Sequence, residues 1–350
     1  MRIESIHLRP YRLPLKQPWR AASATIGTRM GMLVRADGEG ASGWGDCAPL
    51  PSSGGEGHAR AFAALQRGAA RLRQLDAEEA FGALPEVASA EARWALEMAL
   101  LDLSMRLRGL PLRHALRRGA PDALKVNAAL GPLDALCAER AAAALEQGFA
   151  VAKIKVGLDS PEVEAGRLVE LSRRVEGRLR LRLDANRAWR DDEATCFFDA
   201  IADVPIDGVE EPLAEPSLER LAVLQKRVPF ALAIDESLFD LGPERIFTAG
   251  AVRRLVLKPA RVGGFGASMR LAERAARAGM EVVATSVVES AIGVAATAQL
   301  AAALDGDAVH GLATGSWLRE DVAEPLKIAG GRIVLPAGAG LGLAPERQSA

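Results

Sequence analysis

The 350-residue sequence predicts a closed α/β barrel preceded by a small α+β domain. Three observations lead there. The first part of the chain reads as strands followed by helices, which suits an α+β unit. From about residue 126 a short β-branched or Leu-rich run, a turn and a helix recur as a unit. The residues that end those runs are charged in a regular order. Seven or eight strand–helix units favour a closed barrel, and an open doubly wound sheet is the alternative.

In the first part, Ile3 to Leu13 partly alternates apolar with polar residues, and Met30 to Ala36 reads as a second strand. Asp37-Gly38-Glu39-Gly40 is a turn leading back into Ser42 to Asp46. Lys16 to Thr28 and Ala48 to Gly57, rich in small, polar, Gly and Pro residues, read as loops. Helices are expected over about 58–75 and 89–108, the second stopped by Gly109 and Pro111.

The repeating part has runs at Val151–Val156, Leu179–Leu183, Gly208–Glu210, Ala231–Ile234, Arg254–Leu257, Val282–Ala284 and Ala308–His310. Between the first two, Ser160 is the expected N-cap, with Pro161 at the first helical position. The tail from Gly330 to Gly342 is a short strand and a Gly-rich segment outside the repeat.

The net charge of −1 gives no electrostatic basis for a nucleic-acid partner. Cys47, Cys137 and Cys196 fit neither a disulfide framework nor a paired-Cys zinc site, and are expected as core thiols in a reducing compartment. The N-terminus has no apolar stretch of a signal peptide, and the apolar run Ala291 to Leu304 is too short for a membrane span. A cytoplasmic protein with no membrane partner is expected. A homo-oligomer is left open.

The choice of cation is informative. Only seven of the 44 basic residues are Lys, and three of them, Lys153, Lys155 and Lys258, stand in apolar strand-like runs. Arg keeps its proton at working pH, whereas a desolvated or crowded Lys can release it. Snorkelling lysines at strand ends are the plain alternative.

In a barrel, groups at the C-terminal strand ends converge on one face. Here consecutive runs deliver Lys153 and Lys155, then Asp184, Glu210, Asp235 and Lys258. The two lysines of the first run point to the same side, roughly 7 Å apart. Each carboxylate taken alone could cap the helix that follows. Four successive in-phase spacings of 31, 26, 25 and 23 residues are much harder to explain by capping. Three carboxylates at one spot repel unless a cation stands between them, and oxygen-only ligation suits Mg2+ or Mn2+. An ammonium beside such an ion is easier to deprotonate. The set is equipped to abstract a proton α to a carboxylate and stabilise the resulting anion.

Two features invite misreading. Gly263-Gly-Phe-Gly266 lacks the small third residue of a dinucleotide loop, position 269 being Met, and reads as a turn able to cradle an anion. His7, His58, His114 and His310 have no metal-ligand spacing, and only His310 falls near the expected site.

Lys153-x-Lys155, Asp184-x-Asn186, Glu210-Glu-Pro212, Asp235-Glu-Ser237 and Lys258-Pro259 together resemble the muconate-lactonizing subgroup of the enolase superfamily. The resemblance implies a (β/α)7β TIM-like barrel over residues 121–324, with an N-terminal α+β capping domain over 1–120 completed by a C-terminal return over 325–350. Pro336 to Gly342 is similar to that family's Gly-rich tail. Gly43-Trp-Gly-Asp-Cys-Ala-Pro-Leu-Pro51, Ser286-Val-Val-Glu-Ser-Ala-Ile-Gly293 and His310-Gly-Leu-Ala-Thr-Gly-Ser-Trp-Leu318 resemble stretches of the o-succinylbenzoate synthases within it. Asp46 stands where that family commonly has Glu, and Ala313 where some of its members have Asp.

The resemblance implies a small-molecule carboxylate substrate, 2-succinyl-6-hydroxy-2,4-cyclohexadiene-1-carboxylate, dehydrated for menaquinone biosynthesis. Lys155 is the implied acid–base, Lys258 the cation on the opposite face, and Lys153 the group that keeps Lys155 poised. Asp184, Glu210 and Asp235 are the implied ligands of Mg2+, or Mn2+ in its place. Arg182, Thr285, Ser286 and Gly311 are implied substrate contacts, and the 16–28 and 48–57 loops are expected to close over the site. A dipeptide or N-acylamino acid epimerase is the alternative. Dipeptide epimerases usually carry an Asp-x-Asp pair where this chain has Gly311, Leu312 and Ala313. A non-catalytic metal-binding protein is a third reading.

Overall fold

The computed structural model describes residues 1–21, 24–50, 54–304 and 307–346. The chain opens with a three-stranded antiparallel sheet, β1 (Ser5–Ala21), β2 (Ala24–Gly38) and β3 (Ala41–Cys47). Glu39 and Gly40 both have positive φ at the β2–β3 turn, the backbone that a two-residue hairpin of matching twist requires. Helices α1 (Gly54–Leu72), α2 (Ala77–Ala83), α3 (Ala90–Arg108) and α4 (Leu112–Leu116) follow. Ser89 caps α3 at one end and Gly109, at φ 66°, ends it at the other.

The expected loop over Lys16–Thr28 is instead a long β ribbon. Trp19 pairs with Ile26 and Arg20 with Thr25, beyond a register shift between Pro14 and Trp19. Residues 22 and 23 lie outside the described set. The ribbon is extended because it lies across the barrel: Lys16 Nζ donates to Ser316 O at 2.8 Å, and Trp19 meets Trp317 edge to face at 4.6 Å. Of the second expected loop, residues 48–50 are irregular, 51–53 lie outside the described set, and α1 has begun by Gly54.

The barrel begins with β4 (Ala123–Val126) and β5 (Ala128–Pro132), one strand interrupted at Asn127. Then come α5 (Cys137–Glu146), β6 (Val151–Lys155), α6 (Pro161–Arg174), β7 (Arg180–Asp184), α7 (Asp191–Ala200), β8 (Ile206–Glu210) and α8 (Leu218–Arg227). After β9 (Ala231–Ile234) stand two short helices, α9 (Ser237–Leu241) and α10 (Pro243–Ala249). β10 (Arg254–Leu257), α11 (Pro259–Val262), α12 (Phe265–Arg277), β11 (Glu281–Ala284), α13 (Ala291–Leu304) and β12 (Val309–His310) complete the repeat.

Strands β5 to β11 form one parallel sheet in sequence order. The ring closes because β12 pairs in parallel with β4 and is bridged to β11 through Thr285 and Gly311. This excludes the open-sheet alternative. His310 is part of the closure: its Nδ1 accepts the Ala284 amide at 3.1 Å, so it ties strands together. At the start of α6, Ser160 has an extended backbone but makes no cap bond. Glu164 folds back to accept the Gly157, Leu158 and Asp159 amides of the loop before the helix. Cys47 and Cys137 are buried as expected, and Cys196 is exposed. No helix among the described residues is long and apolar enough to cross a membrane.

The tail strands β13 (Ile328–Ala329) and β14 (Arg332–Val334) add to β4, and Leu341 then docks on α3, its amide donating to Asp102 at 2.7 Å. A shared apolar cluster of Leu33, Trp94, Met98, Phe265, Ile292 and Leu341 welds the N-terminal unit to the barrel.

Two carboxylates from outside the barrel reach into its helix starts. Glu97 of α3 accepts the Phe265 and Gly266 amides, and Arg93 donates to Gly263 O. The Gly263–Gly266 turn does cradle an anion, and that anion is the protein's own Glu97. Asp46 accepts the Ser290 amide and hydroxyl just before α13 and also the Tyr11 hydroxyl at 2.7 Å. Asp321 accepts the Ala291 amide at 2.9 Å. The unpaired amides and positive dipole end of α13, a helix with nearly every residue buried, explain why carboxylates gather there. Beside them, burial and the charge of Asp46 push the Glu289 carboxyl up to about 8.

Two predictions follow from these contacts. Glu97→Ala leaves the part-buried Phe265 and Gly266 amides without their acceptor and is expected to cost about 1–3 kcal/mol in urea unfolding, with Glu97→Gln costing less. Folded protein holds the Glu289 proton between about pH 4.5 and 8, whereas the unfolded chain releases it. The contribution of Glu289 to stability therefore falls as pH rises through that window, by at most about 1.4 kcal/mol per pH unit. Wild type is expected to lose stability relative to Glu289→Gln between pH 5.5 and 7.5, read by denaturation at both pH values; a constant difference would contradict it.

Candidate active site

The barrel's strand register sets the site. Lys155 pairs with Asp184, and Asp184 with Glu210, so the last residues of β6, β7 and β8 stand side by side. Asp235, Lys258, Thr285 and Gly311 each come one residue after β9, β10, β11 and β12. In a ring of eight strands, β6 and β10 are four steps apart, which places Lys155 and Lys258 on opposite sides of the mouth.

The charges are interlocked. Lys155 Nζ donates to Asp184 Oδ2 at 2.7 Å and to Asn186 Oδ1 at 2.5 Å. Lys153 Nζ bridges Asp184, at 2.9 Å, and Glu210. Lys258 pairs with Asp235. Burial alone would push the Lys153 ammonium down, but the fields of Asp184, Glu210 and Asp235 outweigh it and hold the group above its ordinary range. Lys258 is raised in the same way, burial being outweighed by Asp235 and Glu236. For Asp184, burial is overcome by Lys153 and Lys155, and the carboxyl is held well below its usual range. Asp235 goes the other way. Burial, with repulsion from Glu236 and Glu210, pushes it up to about 7 despite Lys258.

A cavity opens over this frame. Lys153, Lys155, Asp184, Lys258, Thr285, Ser286 and Gly311 all line it. Glu210 and Asp235 are buried behind Lys153 and Lys258. Arg182 is the exception among the expected contacts. It is fully buried two residues below Asp184, bonded to Asp207, to Asn127 Oδ1 and to Val309 O. Its position belongs to the layer beneath the mouth, so the expectation of a substrate contact is corrected. His310 is likewise absent from the lining.

Several lining residues were not singled out from sequence. Asn186 and Glu236 are hydrogen-bonded to each other at 2.9 Å, and Asn127 sits at the break between β4 and β5. The Asp-x-Asn and Asp-Glu-Ser patterns carried a signal for the first two. The opposite wall is mostly apolar, with Trp19, Ile26, Leu50, Ala129, Val287, Val288 and Ala313, and the polar groups there, Thr285, Ser286 and Thr314, are neutral hydroxyls. Glu211, next to Glu210, is buried as well and faces elsewhere. It accepts the Asp235 and Ser237 amides, holding the loop that presents Asp235.

Strain is concentrated here. Among the described residues, four of the seven non-Gly positions with positive φ are Asn186, Arg187, Glu211 and Val288. At the β-branched Val288 such a backbone costs of order ~1–3 kcal/mol, which the surrounding contacts must offset.

Among the described residues no group of three Asp, Glu, His or Cys side chains stands ready to hold a metal ion as placed. The carboxylates are turned to the lysines. The donor set still fits a hard divalent cation: three carboxylates, Asp184, Glu210 and Asp235, at the ends of successive strands.

Replacing Glu211 by Gln should weaken the hold on the Asp235 loop. The expected result is faster amide exchange at Asp235–Ser237, with unchanged exchange at Lys155.

Residues 136–349 match the enolase C-terminal domain-like family. The chain is similar to the L-Ala-D/L-Glu epimerase of Bacillus subtilis, 28% identical over 98% of this chain and 97% of that one. It is also similar to the o-succinylbenzoate synthase of Edwardsiella ictaluri, 32% identical over 87% and 88%. In structure it resembles the dipeptide epimerase of Enterococcus faecalis V583 complexed with Mg and the dipeptide L-Leu-L-Tyr. That likeness has a TM-score of 0.89 and 25% identity, covering 98% of this chain and all of the other. Fold, match and relatives agree: the chain belongs to the enolase C-terminal domain-like family, within the enolase superfamily.

Proposed function

We propose that this enzyme dehydrates 2-succinyl-6-hydroxy-2,4-cyclohexadiene-1-carboxylate to o-succinylbenzoate, with Mg2+ as its cofactor. One observation carries the choice of reaction. The charged frame occupies one side of the cavity, while the side formed by β11 and β12 presents Val287, Val288, Gly311 and Ala313 with the neutral hydroxyls of Thr285, Ser286 and Thr314, and no charged group. Asp184 and Glu236 are the only carboxylates among the described lining residues, and both belong to the frame. A substrate with a free ammonium, such as a dipeptide, would find no anion on the far wall, whereas a ring with an apolar face would find a matching surface.

Asp184, Glu210 and Asp235 would hold Mg2+, a fit supported by three carboxylate donors delivered at the ends of successive strands. When bound, the ion would accept the substrate carboxylate and the charge that builds on it as the α-proton leaves. Lys155 takes the α-proton; the electron pair of the C–H bond forms the new C=C bond as the C–O bond breaks. The same ammonium then protonates the departing hydroxide, so water leaves from the face of proton removal. In this structure Asn186 and Asp184 hold Lys155 by accepting hydrogen bonds from its Nζ, and with Asp184 turned to the ion Asn186 would keep the amine in place. Lys153 spans Asp184 and Glu210 beneath it. Lys258 faces the ring from the opposite side. Thr285 and Ser286 are turned by bonds to Gly311 O and Thr314, and a Cβ at Gly311 would strike Thr285. In domain terms we assign the barrel to 121–324 and the cap to 1–120 with the 325–350 return.

The epimerase reading remains the alternative. It is favoured by the diametric placement of Lys155 and Lys258, which suits removal of a proton on one face and return on the other.

Incubation with the cyclohexadiene substrate and Mg2+ is expected to yield o-succinylbenzoate. No product, together with α-proton exchange on Ala-Glu or similar dipeptides, would overturn the assignment in favour of the epimerase. Lys155→Ala is expected to lower dehydration by about 10²–10⁴ or more, while Mg2+ affinity changes little. Activity surviving that change would remove Lys155 from the role of base.

A further inference from the structure

Arg29 lies on β2, outside the barrel, and its side chain is fully buried. It does not line the cavity. Its guanidinium makes three bonds, all to main-chain carbonyls: Nε to Val288 O at 3.0 Å, Nη1 to Pro49 O at 2.8 Å and Nη2 to Ala48 O at 2.7 Å. Tyr11, Asp46 and Glu289 are the titratable groups that face it.

The segments it joins are two of those that build the apolar wall. Ala48-Pro49 leads directly into Leu50 from the cap side, and Val288 follows Val287 from the barrel side; Leu50, Val287 and Val288 all line the cavity. Val288 is also the strained β-branched residue at φ 58°. A backbone held in that region persists only when its surroundings over-determine it. The Arg29 bond to the Val288 carbonyl is one such determinant.

We propose that Arg29 is a positioning residue that sets the spacing between the cap side and the barrel side of the apolar wall, and with it which substrates the cavity accepts. The inference rests on the lysine-lined cavity being the active site and not on the identity of its substrate. A fork of planar donors reaches three carbonyls at once; a Lys ammonium in the same place is a single point with tetrahedral donors and cannot hold all three. Arg29 therefore acts through Leu50 and Val288, and its loss should fall on binding before it falls on proton removal.

The test compares wild type, Arg29→Lys and Arg29→Met, with thermal unfolding as a check of folding. Amide exchange is followed in peptides covering 46–50, 286–290 and 151–156. Kinetics are measured on whichever substrate wild type turns over. For the folded variants the expected result is a KM raised by about tenfold or more, with kcat changed less than about threefold. Exchange should rise at 46–50 and 286–290 and stay at wild-type levels at 151–156. Unchanged KM with unchanged local exchange overturns the proposal. So does a uniform rise in exchange over all three peptides, which would mark Arg29 as a general stabiliser. If wild type turns over neither the cyclohexadiene carboxylate nor a dipeptide, the functional reading has failed, and the exchange pattern alone still decides the role of Arg29.

Discussion

Three carboxylates presented by adjacent parallel strands repel one another unless positive charge stands among them. Asp184, Glu210 and Asp235 meet that constraint through Lys153, Lys155 and Lys258, each delivered by the same strand register. Much of the surrounding architecture serves that frame. Glu211 holds the Asp235 loop, Glu97 of α3 holds the turn after Lys258, and the positive φ values at Asn186, Arg187 and Glu211 let the chain leave its strands immediately beyond the charged residues. The lysines hold the carboxylates in place, and a divalent cation could replace part of their charge. As a rule, an ammonium relieved of a carboxylate partner is easier to deprotonate.

The division between Lys and Arg follows from the same physics. Arg appears where several acceptors must be held at once: Arg29 on three carbonyls, and Arg182 and Arg254 on Asp207 in the layer below the mouth. Lys153, Lys155 and Lys258 stand in the mouth itself, where the proposed reaction needs a proton to move. A guanidinium at Lys155 would keep its proton, and an ammonium at Arg29 would lose its fork.

What could be read from sequence divides along physical lines. The strand-end charges were legible because strand period and βα spacing fix both the side and the end on which a residue stands. Depth is harder to read. Arg182 shares a side with Asp184, and only its partners show that it lies one layer down. The ribbon at 16–28 has small and polar residues with no clear face, so nothing local distinguished it from a loop; its order comes from Trp317 and Ser316, some 300 residues away. The first barrel strand, Ala-Leu-Lys-Val-Asn-Ala-Ala-Leu-Gly-Pro, was missed because it lacks a β-branched run and breaks at Asn127. The apolar wall was invisible for a related reason. Trp19, Leu50 and Val288 reach it from three separate segments that tertiary contacts bring together.

Whether the lysine–carboxylate frame is a metal site is read most directly from a crystal structure of the protein grown with Mn2+, with anomalous differences used to locate the ion. A single strong peak is expected at the barrel mouth, with oxygens of Asp184, Glu210 and Asp235 around it and the lysines turned aside. A mouth still closed by the lysine–carboxylate pairs, with no peak there or with the ion bound elsewhere, would contradict it.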